Sequence, residues 1–235
     1  MAHLAQGPVS KIDARAMVER AYANPEALSR RFRERRFARV AAMVDRIIAE
    51  RGRCRIADIG GTKYYWDIAD GFVASRPLEV TLINPKEAAP TAGKFSYLNG
   101  DATDLGSIDD MSFDFVHSNS VIEHVGDWQK MSAMAGSVRR LAPSYYVQSP
   151  NFWFPYEPHF RCLFIHWLPE QIRYRLVKRF PLGFADAKET VDAAMMRVQS
   201  ARLVDSGQMR ALFPDAEIVA ERFCGLAKSW IAIRD

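Results

Sequence analysis

Cysteine is scarce in this chain of 235 residues: Cys54, Cys162 and Cys224 are its only three, and they stand far apart. An odd number at wide spacing makes no disulfide framework and fits a reducing compartment, so a cytoplasmic location is expected. Nowhere do about 18 apolar residues run together as a spanning helix requires. The opening MAHLAQGPVSKIDARAM also lacks the apolar core of a signal peptide. Charge of one sign is in short supply too. Lys and Arg number 32 against 28 Asp and Glu, a formal net charge of +4, so any basic patch for nucleic acid must be local. There is no internal repeat and no low-complexity tract. The remainder, 49% hydrophobic and 26% charged, is the usage of a globular chain of one domain with a small appendage.

Residues 12–50 read as helices, a second one opening at Pro25 after the cap candidate Asn24 and stopping at Gly52. Arg55 to Gly61 is a short apolar run ending in glycines, and a helix is predicted from Thr62 to about Val73. Further strands are predicted over 79–84, 95–98, 113–118 and 145–148, with helices over 127–141 and 203–213. The runs 217–223 and 229–233 flank Gly225 as a hairpin-like pair. Strands alternating with helices imply a largely parallel sheet covered on both faces, with ligands beyond the carboxyl ends of the strands.

The first such end is Asp58-Ile59-Gly60-Gly61-Thr62. Its glycines permit a tight turn and close approach of backbone to a ligand. A dinucleotide motif would need glycines where Thr62 and Tyr65 stand, which disfavours NAD(P). Asp58, two residues before the first glycine, suits a ligand bearing an ammonium group, such as the amino-acid end of S-adenosylmethionine (SAM).

From about Arg55 onward the chain resembles a class I SAM-dependent methyltransferase of the type 11-like kind. The resemblance rests on the Asp58 to Gly61 motif, on Asn84 at the end of the second strand, on Gly100-Asp101-Ala102-Thr103-Asp104-Leu105, and on the fourth strand with its following loop, Phe113 to Val125. It implies an α/β fold: a Rossmann-like seven-stranded mixed sheet of order 3-2-1-4-5-7-6, the last strand antiparallel, with an N-terminal helical lid. Residues 1–52 would be that lid and 53–235 the methyltransferase domain, with 152–200 inserted on the acceptor side. SAM would be held by Asp58, Gly60, Gly61, Asn84, Asp101, Ala102 and Ser118. The pattern departs from the family in two places, a shortened glycine motif and Asn84 where a carboxylate usually binds ribose.

The segment after the fifth strand, Gln148 to Phe160, carries Phe152, Trp153, Phe154 and Tyr156, then Glu157 and His159. An apolar wall with a few polar groups fits a small or medium-sized, partly apolar acceptor. His124, Glu157 and His159 are the candidates to orient an oxygen or nitrogen nucleophile or take its proton. Core packing is the competing reading for the aromatic loop and for His124. His159, Cys162 and His166 stand at helical spacing for metal ligands, but prolines at 155, 158 and 169 break that helix, and no metal is expected. The basic stretches 30–36 and 173–180 each read as a solvated helix face; for the second, a peripheral membrane contact is the alternative. No nucleic-acid partner is expected, since Ser118-Asn119-Ser120-Val121 stands where an RNA enzyme would carry a base-gripping motif. The rival functions are an inactive SAM-binding module and, behind it, an RNA-modifying methyltransferase.

Overall fold

The computed structural model describes residues 28–67, 71–85, 93–183 and 185–235. A long helix, α1 (Leu28–Arg51), leads into β1 (Cys54–Ile59) and a single helical turn, α2 (Lys63–Trp66). Then follow β2 (Leu78–Asn84), β3 (Phe95–Asn99), β4 (Phe115–Asn119), α3 (Trp128–Leu141) and β5 (Ser144–Pro150). The segment after β5 holds a small hairpin, β6 (Tyr156–Glu157) and β7 (Cys162–Leu163), and two helices, α4 (Glu170–Arg179) and α5 (Val191–Val198). The chain closes with α6 (Ser206–Leu212), β8 (Glu217–Phe223) and β9 (Leu226–Arg234).

Seven strands form one sheet in the order β3-β2-β1-β4-β5-β9-β8. The first five are mutually parallel, and β9 is antiparallel to both neighbours. This is the expected Rossmann-like order, the final strand reversed because the turn at Cys224 and Gly225 folds β9 straight back on β8.

Side-chain alternation sorts the strands between two cores. Ile56, Phe115 and Tyr146 face α1, whose Phe37, Val40, Val44 and Ile47 recur at helical spacing. Ala57, Val116 and Val147 face α3 and α6. Helix α3 starts at Asp127, whose carboxylate accepts from the Lys130 N–H at 3.0 Å, a cap of the usual kind. The segment after β5 has its own small core of Phe160, Ile165, Val177, Ala194 and Val198. The helical reading of residues 12–27 lies outside the described residues.

Two expectations change. The helix predicted to run to about Val73 is one turn, because Tyr65 and Trp66 turn into the core and Gly71, at φ +76°, holds a left-handed conformation that no continuing helix allows. The arginines of α1 are not all solvated: Arg33 and Arg36 are buried. Among the described residues, no helix is long and apolar enough to cross a membrane.

The three thiols differ sharply in setting. Cys54 is buried, and desolvation pushes its pKa up to about 12, whereas Cys224 is exposed in the β8–β9 turn. Since the thiolate is the reactive form, a maleimide added to native protein is expected to label Cys224 rapidly and Cys54 only after denaturation. Peptide mapping by mass spectrometry checks this; labelling of both at similar rates would contradict it.

Candidate active site

The end of β1 is built from side chains that the strand register brings face to face. Asp58 and His117 are register partners on β1 and β4, and both point to the α1 side. His117 Nδ1–H donates to Asp58 Oδ1 at 2.7 Å, and Trp66 Nε1–H donates to Asp58 Oδ2 at 2.8 Å. Asp58 has no exposed surface, and its carboxylate lies against Gly61, where a Cβ would stand 1.7 Å from Oδ2. Asp58 therefore organises the turn from beneath. Gly60, at φ +71°, is covered by Val121, 2.5 Å from the place of a Cβ. The two glycines thus admit the packing of Asp58 and Val121.

Asn84 ends β2 and donates through Nδ2 to the Gly61 carbonyl at 2.6 Å, tying the second strand end to the first turn. Its carboxamide oxygen remains as an acceptor of hydroxyl bonds. Gly100 N–H donates to Asn84 O, so Asp101 and Ala102 follow directly beside it. Asp101 accepts from Thr103 N–H and Oγ–H, bonds that hold its carboxyl below the ordinary range and keep it ionised. Ser118 is buried and donates to Ile59 O at 3.0 Å, a bond that clamps β4 to β1.

Above β4 the backbone is strained: Ser120 takes φ +57°, uncommon for a residue with a side chain and frequent at functional sites. Its hydroxyl donates to Gln148 Oε1 at 2.8 Å. Arg36 of α1 reaches the same place, donating to Asn119 Oδ1 at 2.6 Å and Gln148 Oε1 at 2.9 Å, and its Nε stands 3.1 Å from Glu221. The sequence reading missed Arg36, His117 and Trp66. Strand alternation from Asp58 could have found His117, but no local pattern marks Arg36 among so many arginines.

Past Val121, a short 3₁₀ turn presents Glu123 and His124. Glu123 is wholly buried; Ser149 Oγ–H donates to its Oε2 at 3.1 Å, and desolvation raises its pKa. His124 Nδ1–H donates to Ser200 O at 2.7 Å. His159, on the loop between β6 and β7, donates through Nδ1 to Glu157 Oε1 at 2.6 Å, and Glu157 also accepts the Phe160 N–H. The His124 and His159 rings meet edge to face, 4.6 Å between centroids. The candidates Glu157 and His159 form one cluster with His124, more than thirty residues earlier in the chain, and Glu123 completes it.

The aromatic loop does not form one wall. Phe152 lines a cavity of about 260 Å³ with Glu157, Phe160, His166, Arg173 and Arg202, whereas Phe154 packs on Phe223 and Trp153 is 62% exposed. The spacing of His159, Cys162 and His166 falls on a hairpin and a 3₁₀ turn rather than a helix, and His166 Nε2–H donates to Phe152 O at 2.8 Å.

A seven-stranded sheet of this order, with its glycine turn after the first strand, defines a class I methyltransferase fold. Residues 55–144 match the family model described as a methyltransferase domain, spanning β1 to the first residue of β5. No curated protein matches. Among solved structures, the chain is similar to a magnesium protoporphyrin IX methyltransferase of Synechocystis with bound SAM, at 12% identity and TM-score 0.49, over 94% of this chain and 90% of that one. It is also similar to a SAM-dependent methyltransferase of Archaeoglobus fulgidus, at 16% identity and TM-score 0.48, over 83% and 91%. A SAM-dependent methyltransferase of Methanosarcina mazei is similar at 16% identity and TM-score 0.48, over 77% and 91%. The match over residues 55–144 is to a methyltransferase domain, and the cofactor such a domain implies is SAM. The residues present fit that group in kind: the Asn84 carboxamide oxygen, which could accept from hydroxyls, and the ionised Asp101, which could accept from an amino group, stand on adjacent strand ends.

Proposed function

We propose that this protein transfers a methyl group from SAM to an oxygen or nitrogen nucleophile of a small or medium-sized, partly apolar acceptor. The observation that carries this reading is the meeting of His124, Glu157 and His159 one turn beyond Val121, the side chain that covers the glycine turn. An inert binding module has no need of such a cluster. Bound SAM supplies a sulfonium methyl for in-line displacement, and orientation alone contributes roughly 7 to 11 kcal/mol to such reactions. Asn84, Asp101 and Ala102 hold the nucleoside end, the Gly60–Gly61 backbone lies along the amino-acid end, and Asp58 and Ser118 keep that turn in shape. Glu157, by accepting the Nδ1 proton of His159, leaves Nε2 as the proton acceptor toward the nucleophile. The cavity beside Glu157 receives the acceptor, its apolar part against Phe152 and Phe160.

Exposed Trp153, Leu163, Phe164, Trp167 and Ile172 adjoin the basic helix α4. That surface favours an acceptor met at an anionic membrane, where aromatic and basic side chains act together.

Calorimetry with SAM and S-adenosylhomocysteine tests the cofactor half. Both are expected to bind at one site, and Asn84→Asp to bind them more weakly, because a carboxylate loses the donor to Gly61 O and meets that carbonyl as a second acceptor. No binding by folded wild-type protein would remove the proposal.

A further inference from the structure

One nitrogen from each of His124 and His159 and one carboxylate oxygen of Glu123 lie within 4.8 Å of one another. Both rings have Nδ1 engaged, His124 with a backbone carbonyl and His159 with the Glu157 carboxylate, so the lone pair of each neutral ring sits on Nε2. A carboxylate or carbonyl bonded to the far nitrogen is the arrangement that orients metal-binding histidines and raises their basicity. Independently, Glu123 Oε1 is buried without a hydrogen-bond partner, while Oε2 has only the Ser149 hydroxyl. A buried carboxylate oxygen left unsatisfied is costly and calls for a ligand.

We propose that Glu123, His124 and His159 bind a divalent transition-metal cation, with zinc as the best chemical match. Two imidazole nitrogens and one carboxylate oxygen suit zinc and its neighbours, whereas magnesium takes oxygen ligands. Ligands about 2.0 to 2.2 Å from zinc stand roughly 3.3 to 3.6 Å apart in a tetrahedral site, so small side-chain rotations close the set. A cation there would give Glu123 Oε1 the partner it lacks. Three protein ligands leave a fourth position for water or for an acceptor oxygen, the pattern of catalytic rather than structural sites. Glu157 is then a positioning residue acting through His159. The cation would occupy the His159 Nε2 that the proposed reaction uses as proton acceptor. In the metal-bound form that proton would pass to a zinc-bound hydroxide at the fourth position; cation binding itself needs no methyl transfer.

The test is titration of chelator-stripped full-length protein with Zn(II), followed by calorimetry, and with Co(II), followed by visible absorption. Wild type is expected to take up one equivalent and to give the intense bands of four- or five-coordinate Co(II). His124→Ala and His159→Ala should each abolish that equivalent, and Glu157→Gln should weaken it by about 10- to 100-fold, the usual effect of an outer partner. His124 is exposed, so His124→Ala keeps the test sound if a buried variant fails to fold; its metal-free melting temperature should match wild type. No saturable equivalent in wild type, or an unchanged one in His124→Ala and His159→Ala, would overturn the site. Zinc uptake without SAM binding would leave it standing and remove the methyltransferase reading instead.

Discussion

Glu157→Gln and His159→Ala are each expected to lower methyl-transfer turnover by about 10²- to 10⁴-fold while leaving SAM affinity nearly unchanged. The separation follows from where the pair sits. Glu157 and His159 lie in the hairpin after β5 and bond to each other, Glu157 also accepting the Phe160 N–H, and among the described residues neither side chain bonds to the turns after β1, β2 or β3. Glu157→Gln should also lower stability, because Glu157 is 2% exposed and accepts on both oxygens. A carboxamide can satisfy only one of those donors, and a buried donor left unsatisfied costs about 1 to 3 kcal/mol. His159 is not wholly buried, and His159→Ala should cost less. Melting temperature, calorimetric SAM affinity and turnover measured on the same variants separate chemistry from shape. A variant with wild-type turnover removes the catalytic assignment, and a parallel fall in affinity and turnover makes the pair structural.

The strands were legible because their signals are local. A short apolar run closed by turn residues predicts β2 within one residue and β9 as the hairpin partner of β8 across Gly225. The α2 region misled because it carries the composition of an amphipathic helix, while Trp66 is drawn out of that register by a bond to Asp58, which no periodicity reveals. His124 and His159 were each picked out from chain context, His124 after the fourth strand and His159 in the loop after the fifth. That they touch is a property of two loops folding together, and a single sequence holds no record of it. The same limit hid Arg36, whose three partners come from β4, β5 and β8. It also dispersed the aromatic wall: Phe152, Trp153, Phe154 and Tyr156 are close in sequence, but the turn held by Asn151, ahead of the β6–β7 hairpin, sends them in different directions.

The second large effect is expected at Gly61. Alanine there is predicted to destabilise the fold by several kcal/mol, since each buried polar group that loses its partner costs about 1 to 3 kcal/mol and Asp58 serves two such groups. Elsewhere Gly→Ala commonly stabilises by roughly 0.4 to 1 kcal/mol where the backbone is compatible, by restricting the unfolded chain. The sign reverses at Gly61 because the new methyl would stand 1.7 Å from Asp58 Oδ2. Asp58 cannot yield cheaply: moving its carboxylate strips the acceptor from both Trp66 Nε1–H and His117 Nδ1–H, inside a core where neither finds water. Gly136→Ala supplies the contrast, since that glycine lies in α3 with nothing within 4 Å of an added Cβ. It should stabilise the helix by about 1 kcal/mol. Urea unfolding of the two variants gives both signs in one experiment. Combining Gly61→Ala with Asp58→Ala tests the cause, since removing the carboxylate removes the collision, and the double variant should then be no less stable than Asp58→Ala alone. If Gly61→Ala unfolds within about 1 kcal/mol of wild type, Asp58 is free to leave the turn, and the ordering of the Gly60–Gly61 turn from beneath by Asp58, Trp66 and His117 is wrong.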